Sequence, residues 1–310
     1  MTILNLNTLL TENAKNAFFT LPISTWKGKR IAFDSSIILH KYFSPAWKEV
    51  VMKTNVLVDE PDMKEVSRIW LKNFKVFLLR FLNQGITPIF VIDGKPPIEK
   101  EIITRQKRKE GRDKKNTEIE TIKNTMTTMD RLSITSEMIN ELRKKMSNLP
   151  PTSKSELDVL KSVLEGLGIP VLQAKGEAEE LCSTLCRLGY VDAVFSSDLD
   201  NLAHGCPVLI TDCIGKINNQ EHVKTIILKD VLDALNVTHQ VFLDLCIMCG
   251  CDYNNNIYRV GVKTAYKLLL DCQTIDNLTS KYDITCLNHI RCRELFSQKK
   301  YDEVDRKSVV

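Results

Sequence analysis

Short apolar runs that end in an acidic residue recur along this chain, and they limit the folds that it can adopt. Asp34, Asp93 and Asp198 each follow such a run. A short apolar run bounded by polar residues predicts a buried strand, and amphipathic stretches between such runs predict helices. The alternation of strands and helices is typical of an α/β protein whose mostly parallel central sheet is flanked by helices.

The predicted elements follow the chain in a regular order. Strands are predicted at residues 28–34, 86–93, 171–172, 193–196, 207–211 and 224–228, and helices at 64–82, 159–167, 177–188 and 241–248. With 310 residues and 43% hydrophobic side chains, the chain can form one large domain or two small ones around a sizeable core.

Seven acidic residues lie at or near the ends of apolar stretches, where an open sheet carries its functional groups. Two carboxylates about 4 Å apart repel by roughly 4 kcal/mol at an effective dielectric constant of about 20, so such a cluster needs divalent cations. Oxygen ligands without a matching His or Cys favour Mg²⁺ or Mn²⁺, and paired hard cations are typical of phosphodiester displacement. Each residue alone is better explained as a turn former or helix cap, but the shared placement favours a metal site. The seven are Asp34, Asp93, Glu177, Glu179, Asp198, Asp200 and Asp252.

Side-chain periodicity supports only part of this geometry. Asp198 and Asp200, two residues apart in an extended segment, share one face. Inside a helix, Glu177 and Glu179 would point about 200° apart, and Glu177 would face Glu180 instead. Geometry alone therefore leaves Glu179 and Glu180 as alternatives.

The composition excludes several classes of protein. A net charge of +4 is too small for a polybasic nucleic-acid coat, so affinity for nucleic acid must come from local patches. The apolar runs fall short of the ~20 residues of a membrane span, and the N-terminal sequence lacks a basic start and a cleavage site, which argues against secretion. The ten cysteines lack zinc-finger spacing. We interpret them as reduced thiols of a protein in a reducing, intracellular compartment.

Residues 95–150 interrupt the alternation between two predicted core strands. From Lys95 to Lys115 there are nine Lys or Arg residues against four acidic ones. From Ile134 to Met146, apolar residues recur every four positions, as on one helix face. A charge run alone usually marks a solvated helix face. Directly after Asp93 and beside an acidic site, it is better explained as a basic insertion that attracts phosphates.

A second candidate for nucleic-acid contact follows Asp252. Gly261 lies in a turn that opens a predicted helix, and the free backbone N–H groups of such a turn attract phosphate. Lys263 and Lys267, four residues apart, add positive charge on one face. The pattern also fits an ordinary helix start, but the preceding acidic motif favours the DNA-binding alternative.

Five motifs, in order and with matching spacing, resemble those of the flap endonuclease family of structure-specific 5′ nucleases. The resemblance covers about residues 1–290 of the chain. The motifs are Asp93-Gly-Lys-Pro-Pro97, Gly176-Glu-Ala-Glu179, Ser197-Asp-Leu-Asp200, Gly250-Cys-Asp-Tyr253 and Val260-Gly-Val-Lys-Thr-Ala265, and Leu167-Gly-Ile-Pro170 leads into the second of them.

The resemblance implies a PIN-like 5′-nuclease core in which the seven carboxylates surround two Mg²⁺ ions, with Mn²⁺ as a substitute. It favours Glu179 over Glu180, which requires Glu177 to lie at or before the start of the helix. The insertion is expected to be a helical arch through or under which a single-stranded 5′ end passes. The chain is also expected to grip duplex DNA with a helix–two-turn–helix.

The resemblance further implies residues that contact the substrate. The family's basic residue after the Pro-Pro pair is matched by Lys100, which is expected to steer the scissile phosphate. A second basic residue of the arch is matched less closely by Lys107, with Arg105 and Arg108 as alternatives. The residues expected to contact DNA are His40, Tyr42, Lys95, Arg108, Arg259, Gly261, Lys263 and Lys267.

The chain departs from the family pattern in four places. The family's turn has two glycines around an aliphatic residue, but the first is Arg259 here, which argues against a bound monovalent cation. Thr2 replaces the family's glycine, so contacts with the nick are expected to differ. The base-stacking aromatic residue is replaced by His40, with Tyr42 as an alternative. The tail, residues 291–310, lacks the box that recruits a sliding clamp. These departures are typical of a diverged member, and a large DNA virus is one source that we consider.

We therefore predict a monomeric, metal-dependent 5′ nuclease that cleaves flapped or branched DNA in replication, repair or recombination, in the nucleus or at a cytoplasmic viral replication site. Alternatives on the same core are a 5′-3′ exonuclease, a Holliday-junction resolvase or an RNA-directed nuclease. A non-catalytic junction-binding factor is an alternative of a different class, but it would be free to lose carboxylates. The predicted organisation is a nuclease core at residues 1–97 and 151–290 with the helix–two-turn–helix at about 239–272, an arch insertion at 98–150, and a tail at 291–310.

Overall fold

The computed structural model describes residues 3–151, 154–278 and 282–297. These residues divide into two compact units, of which each is formed by separate stretches of the chain. The first unit contains the described residues up to Ile37, from Arg80 to Thr104 and from Leu164 onward. The second unit contains the described residues of Ile38–Leu79 and Arg105–Val163.

The first unit is built on one seven-stranded sheet whose central strands are buried and apolar. Its strands are β1 (Phe18–Pro22), β2 (Arg30–Asp34), β3 (Thr87–Ile92), β4 (Val171–Gln173), β5 (Ala193–Phe195), β6 (Val208–Ile217) and β7 (Gln220–Ile227). They lie in the order β1-β7-β6-β5-β2-β3-β4. The pairings from β6 through β5, β2 and β3 to β4 are parallel, and β7 is antiparallel to both β6 and β1. The predicted mostly parallel sheet is confirmed.

Aromatic packing holds the centre of this sheet in register. The ring of Phe33 on β2 lies 5.0 Å from that of Phe90 on β3 and 5.2 Å from that of Phe195 on β5. Phe81 meets Phe33 edge-on, at a centroid distance of 5.1 Å. Because all four rings are buried, they align the three parallel strands, and the carboxyl ends of those strands meet at one edge of the sheet.

The antiparallel part of the sheet differs from the prediction. The two short strands predicted at 207–211 and 224–228 are one long hairpin of β6 and β7, and β1 at its side was not predicted. The hairpin turns at Asn218 and Asn219, with φ angles of 50° and 64°. Consecutive positive φ angles favour Asn and Gly and match the twist of a two-stranded ribbon. The polar, exposed end of the hairpin carries no apolar run, so the strands predicted from the sequence are shorter than β6 and β7.

Helices alternate with the strands of the sheet, as the sequence predicts. The predicted helix at 159–167 begins earlier, at Lys154. Its first turn carries Glu156, a buried carboxylate that accepts hydrogen bonds from Ser67 Oγ and from Trp70 Nε1 at 2.6 Å. The helices outside the insertion are α1 (Leu6–Asn13), α2 (Ser35–Lys53), α3 (Met63–Leu82), α7 (Lys154–Gly166), α8 (Ala178–Arg187), α9 (Asp200–Ala203), α10 (Leu228–Leu235), α11 (His239–Cys249), α12 (Val262–Cys272) and α13 (His289–Phe296).

The predicted insertion is helical along most of its length. It consists of α4 (Ile98–Lys100), a π-helical turn (Glu101–Arg105), α5 (Gln106–Thr128), a 3₁₀ turn (Arg131–Ser133) and α6 (Ser136–Ser147). On α6, Leu142 and Met146 of the predicted apolar face are buried. The carbonyl oxygen of Met146 accepts a hydrogen bond from Trp47 Nε1 at 3.0 Å. α6 is thereby anchored within the second unit.

Three other sequence-based expectations concern the chain as a whole. All ten cysteines are free thiols in the structure. Among the described residues no single helix is long and apolar enough to cross a membrane, although α10 and α11, bent by 85°, pass this test as a pair. The expectations for Thr2 and for the tail beyond residue 297 lie outside the described residues.

Candidate functional site

The ends of the parallel strands place the predicted carboxylates in the first unit. Asp34 is the last residue of β2, and Asp93 and Asp198 follow β3 and β5. β2 lies between β3 and β5, with Asp34 opposite Val91, so these three carboxylates share one edge of the sheet. The structure therefore confirms that the strand ends converge.

The start of α8 places the glutamates differently relative to the helix. Glu177 is the N-cap of α8 in an extended conformation, with φ −91° and ψ 147°, and Glu179 lies in the first turn. Since Glu177 precedes the helix, the two side chains are not held to the helical spacing that would separate them. A carboxylate oxygen of Glu179 lies within 4.8 Å of one from Asp198 and one from Asp200. The side chain of Glu179 thus lies beside the two aspartates, as expected if it is the ligand, and its role as a ligand stays a prediction.

Glu179, Asp198 and Asp200 form the inner cluster of the site. Glu179 and Asp200 are buried, and Asp198 is half-buried. Asp200 Oδ1 accepts a hydrogen bond from the backbone N–H of Ile3 at 2.9 Å, and Asp198 Oδ1 accepts one from the N–H of Asp200 at 3.2 Å. These backbone donors fix the orientation of the two aspartates beside the buried glutamate.

Asp34 and Asp93 are held by the starts of two helices. Asp34 Oδ1 accepts hydrogen bonds from the backbone N–H groups of Ser36 and Ile37, at 3.0 and 3.1 Å. Asp93 Oδ2 accepts from Ser36 Oγ at 2.6 Å, and its Oδ1 accepts from the N–H of Ala178 at 2.8 Å. Both carboxylates therefore also act as helix caps, which is the ordinary role of an aspartate in this position.

The loop after Asp93 is joined to the loop before Glu177. The backbone N–H of Gly94 donates to the carbonyl oxygen of Gly176 at 2.7 Å. A Cβ atom at position 94 would lie 2.2 Å from the carbonyl oxygen of Ala174, so no other residue fits without moving the backbone. The close approach of the two loops explains why a glycine follows Asp93.

Burial and mutual repulsion raise the pKa of several of these carboxyl groups. Burial, together with the charges of Asp93 and Asp198, raises the pKa of Asp34 to about 7. Burial raises the pKa of Glu179 and of Asp200 well above the usual range, and Asp198 contributes the largest charge effect on both. The charged forms are therefore destabilised unless positive charge is brought to the cluster.

Lys100 lies among the carboxylates. Its ammonium group contacts Glu177, lies 2.9 Å from Asp252 Oδ2 and lies 4.0 Å from Glu179 Oε1. Burial lowers the pKa of this ammonium, but the charges of Glu179, Glu177 and Asp252 together raise it well above its ordinary value. Lys100 is thus a fixed positive charge at the edge of the cluster.

Sequence reasoning missed two side chains of the site. The hydroxyl of Tyr253 donates a hydrogen bond to Glu177 Oε2, and its ring is buried. Thr104 Oγ1 donates to the backbone carbonyl oxygen of Asp252 at 3.0 Å. Tyr253 had a signal, since it closes the motif that contains Asp252, but the sequence analysis gave it no role of its own.

The donor set fits hard divalent cations. The inner cluster offers one oxygen from each of its three carboxylates within the range that one ion can span. Asp34 lies close enough to both Asp93 and Asp198 for their charges to raise its pKa, and Lys100 lies beside Glu177 and Asp252 as well as Glu179 of the cluster. Oxygen-only ligation favours Mg²⁺ or Mn²⁺ over zinc or copper, and repulsion among buried carboxylates would strengthen the binding of a cation.

Apart from Lys100, the predicted arch and base-stacking residues lie in the second unit. Arg105, Lys107 and Arg108 are exposed, at the end of the π-helical turn and the start of α5. His40 is exposed on α2, whereas Tyr42 is half-buried and its ring packs against phenylalanines of α3. His40 is therefore more accessible to a base than Tyr42.

The segment predicted to be a helix–two-turn–helix contains α11, the following turns and α12. Arg259 has a φ of +60°, in the left-handed region that favours glycine. Its guanidinium lies 5.0 Å from the centre of the Tyr258 ring. Gly261 caps α12 with an ordinary φ of −89°, and a Cβ there would have no neighbour within 4 Å. The space in front of the helix start is open to a ligand.

The predicted lysine contacts of the first unit are all exposed. Lys95 follows the Asp93 loop, and Lys263 and Lys267 lie on the outer face of α12. Lys263 Nζ pairs with Glu12 Oε2 at 2.7 Å. Exposed pairs of this kind contribute about 0–1 kcal/mol, so Lys263 can exchange Glu12 for a phosphate at little cost.

Two family models match the chain in the parts that carry the carboxylates. The XPG N-terminal domain matches residues 1–115, and the XPG I-region matches residues 168–252. Among solved structures, the catalytic core of Rad2 in complex with DNA substrate has a TM-score of 0.58 at 19% identity, covering 89% of this chain and 69% of that one. Flap endonuclease-1 from Methanococcus jannaschii has a TM-score of 0.55 at 22% identity, covering 91% and 82%. These structures share the fold.

Several curated relatives are similar in sequence along most of the chain. Flap endonuclease 1 of Cryptosporidium muris (strain RN66) is 31% identical over 311 residues, which cover 96% of this chain and 62% of the relative. Flap endonuclease 1-2 of Paramecium tetraurelia is 32% identical, covering 90% and 67%. The probable RAD2-like endonuclease 369L of Invertebrate iridescent virus 6 is 31% identical, covering 98% and 81%. The chain therefore spans just under two thirds of the length of the first relative, and it belongs to the XPG and flap endonuclease family.

Proposed function

We propose that this chain is a structure-specific 5′ nuclease that hydrolyses DNA phosphodiester bonds at single-strand/double-strand junctions, with two Mg²⁺ ions as cofactor. The observation that supports the proposal is the inner cluster of Glu179, Asp198 and Asp200, whose carboxylate oxygens lie within 4.8 Å of one another. Buried carboxylates that repel one another lower the stability of a fold, so the binding of cations best explains why they lie together here. A non-catalytic junction-binding factor would have no such reason to keep them together.

The carboxylates would hold the cations at the carboxyl edge of the sheet. Two bound cations would supply positive charge to the attacking and leaving oxygens of the scissile phosphate. Glu179, Asp198 and Asp200 would hold one part of this site, and Asp34 and Asp93 would hold the part next to β2 and β3. The hydrogen bonds from Ser36 and Ala178 orient Asp93, so that little rearrangement is required when a cation binds.

Besides the two cations, Lys100 would place a positively charged side chain next to the reacting phosphate. Its ammonium is already desolvated beside Glu177 and Asp252. It stays protonated at neutral pH because the neighbouring carboxylates raise its pKa. A phosphate at the inner cluster would lie within reach of its N–H groups, and the ammonium would bind the phosphate oxygens as charge develops on them. In this position Lys100 acts on the reaction step and contributes little to the grip on the duplex.

We therefore expect Lys100→Ala to slow cleavage far more than it weakens binding of a flap substrate. Removal of one preorganised donor from a reacting centre typically costs about 100- to 1,000-fold in turnover. Single-turnover rates and the Kd for a flap DNA would be measured together. Lys229→Ala, which removes an exposed lysine at the start of α10, is the matched control and should change neither value. A variant whose loss lay wholly in Kd would contradict this role.

The turn at Gly261 and helix α12 would bind the duplex through its phosphates. We expect Lys263→Ala and Lys267→Ala to weaken duplex binding for all DNA sequences alike. Each should also make the slope of log K against log salt concentration less steep by about one unit. Because the ion pair of Lys263 with Glu12 is exposed, the melting temperature should change little. An unchanged salt dependence in the double variant would remove α12 from the DNA interface.

The choice of substrate is tested by comparing DNA geometries. Equal amounts of 5′-labelled flap, nicked, blunt and four-way DNA would be incubated with the chain and Mg²⁺. We expect the flap to be cut fastest, next to the junction. Preferred cutting of the four-way DNA would indicate a junction resolvase, and stepwise loss of terminal nucleotides would indicate an exonuclease. Binding without cleavage of any substrate would indicate the non-catalytic alternative.

A further inference from the structure

Glu177 is a carboxylate of the site whose two oxygens are both held by other side chains. It is the N-cap of α8, but its side chain makes no capping hydrogen bond to the helix backbone. Instead, Oε1 contacts the ammonium of Lys100 and Oε2 accepts a hydrogen bond from the hydroxyl of Tyr253. Both partners come from segments more than 70 residues away in the chain, so the tertiary structure sets the direction of this carboxylate.

Tyr253 is itself held rigidly. Its side chain is only 2% exposed, and its ring meets the ring of Phe296 in an edge-to-face arrangement with centroids 5.2 Å apart. Phe296 also lies 4.7 Å from the ring of His204, which follows helix α9 and therefore the Asp200 segment. Edge-to-face pairs restrict ring orientation as well as adding contact area.

Helix α13, which carries Phe296, is fastened to the same parts of the site. Arg291 Nε lies 2.7 Å from Glu99 Oε1, next to Lys100 in the chain. Arg293 pairs with the fully buried Asp244 of α11 at 2.6 Å. The helix thus connects the segments of Lys100, Asp200 and Asp252, and its aromatic residue fixes the tyrosine that contacts Glu177.

We propose that Tyr253 is a positioning residue of the metal centre, which orients the Glu177 carboxylate through its hydroxyl while Phe296 holds its ring. The proposal rests on the proposed function, because Glu177 needs a fixed direction only if it binds a cation. A buried tyrosine hydroxyl needs a hydrogen-bond partner in any protein, so a purely structural role is the alternative. The two roles differ in their effect on cation affinity.

The test is the affinity of the full chain for Mn²⁺, measured by calorimetry without DNA. Tyr253→Phe keeps the ring and removes only the hydroxyl. Loss of a group that orients a metal ligand typically weakens cation binding by about 10- to 100-fold, and we expect a loss in this range. Tyr266→Phe is the matched control: it removes a hydroxyl that donates to the Leu235 carbonyl oxygen at 2.9 Å, and it should bind Mn²⁺ as the wild type does.

A double-mutant cycle separates positioning from a general loss of structure. If Tyr253 acts through Glu177, Tyr253→Phe should cause little further loss of Mn²⁺ affinity in a Glu177→Gln background. Independent, multiplying losses would overturn the proposal, as would a Tyr253→Phe affinity within twofold of the wild type. If Tyr253→Phe did not fold, Phe296→Leu would replace it, with weakened Mn²⁺ binding expected and unchanged binding overturning the proposal. Failure of the wild type to bind Mn²⁺ would instead contradict the proposed function.

Discussion

Replacement of Asp200 by asparagine should abolish Mg²⁺-dependent cleavage of a flap substrate while binding to the DNA junction survives. The carboxylate lies in the inner cluster with Glu179 and Asp198, so its charge is needed to hold a cation there. Cations at a phosphoryl centre supply several kcal/mol of transition-state stabilisation, and about 1.4 kcal/mol corresponds to tenfold in rate. We therefore expect turnover to fall by at least about 100-fold.

Asparagine is the informative substitution because it keeps the acceptor of the hydrogen bond from Ile3 and thus the local structure. Asp93→Asn should give the same result, since its remaining carbonyl oxygen can still cap α8. Asp192→Asn, which alters a carboxylate at the amino end of β5 that binds Lys29 and Arg30, is the matched control and should retain full activity. More than a tenth of wild-type turnover in either cluster variant would show that its carboxylate is not a cation ligand.

The second large effect concerns stability without metal. In EDTA, Asp198→Asn should melt at a higher temperature than the wild type, because it removes one charge from a cluster of like charges. Two such charges about 4–5 Å apart repel by roughly 3–4 kcal/mol at an effective dielectric constant of about 20. Partial protonation of neighbours reduces the gain, so we expect about 1 kcal/mol or more, which corresponds to about 2 °C or more.

The stabilisation should also depend on pH. The carboxyl pKa values of Asp34, Glu179 and Asp200 are raised in the folded chain. The folded state therefore binds more protons than the unfolded state above about pH 4, and the stability of the metal-free chain falls as the pH rises toward 7 and beyond. The difference between Asp198→Asn and the wild type should be small at pH 5 and larger at pH 8, as differential scanning calorimetry would show.

Added Mg²⁺ should shrink or reverse the difference, since a cation that binds the folded wild type stabilises it by mass action. Asp158→Asn, in which an exposed carboxylate of α7 is changed, is the control and should melt as the wild type does at each pH. A lower melting temperature for Asp198→Asn in EDTA would show that the charge of Asp198 stabilises the metal-free fold, and it would contradict the argument from repulsion.

Much of the sheet could be predicted because each buried strand is marked by its own short stretch of sequence. A buried parallel strand is an apolar run, and the acidic residue after it marks the functional edge, so Asp34, Asp93 and Asp198 were found by pattern. The resemblance to a known family then supplied the choice of Glu179, which helix geometry had left open. The structure explains that choice, because Glu177 lies outside the helix and is free of its periodicity.

The features that were missed depend on contacts between distant segments. β1 is short and partly exposed, and the outer half of the hairpin carries exposed residues without an apolar run, so their pairing with neighbouring strands is what identifies them. Lys100 was predicted as a residue of the site, whereas the contacts of its ammonium with carboxylates 77 and 152 positions away along the chain were not predicted. The role of Tyr253 was missed for the same reason, since the sequence does not show which group a buried tyrosine hydroxyl contacts.

The most direct test of the metal-centred account is the cation dependence of cleavage by the wild-type chain. A 5′-labelled flap DNA would be incubated with the chain in Mg²⁺, in EDTA, and in EDTA followed by excess Mg²⁺. We predict cleavage at the junction in the first and third samples and none in the second, with Asp200→Asn inactive in all three. Cleavage that persisted in EDTA, or that Asp200→Asn retained, would contradict the account.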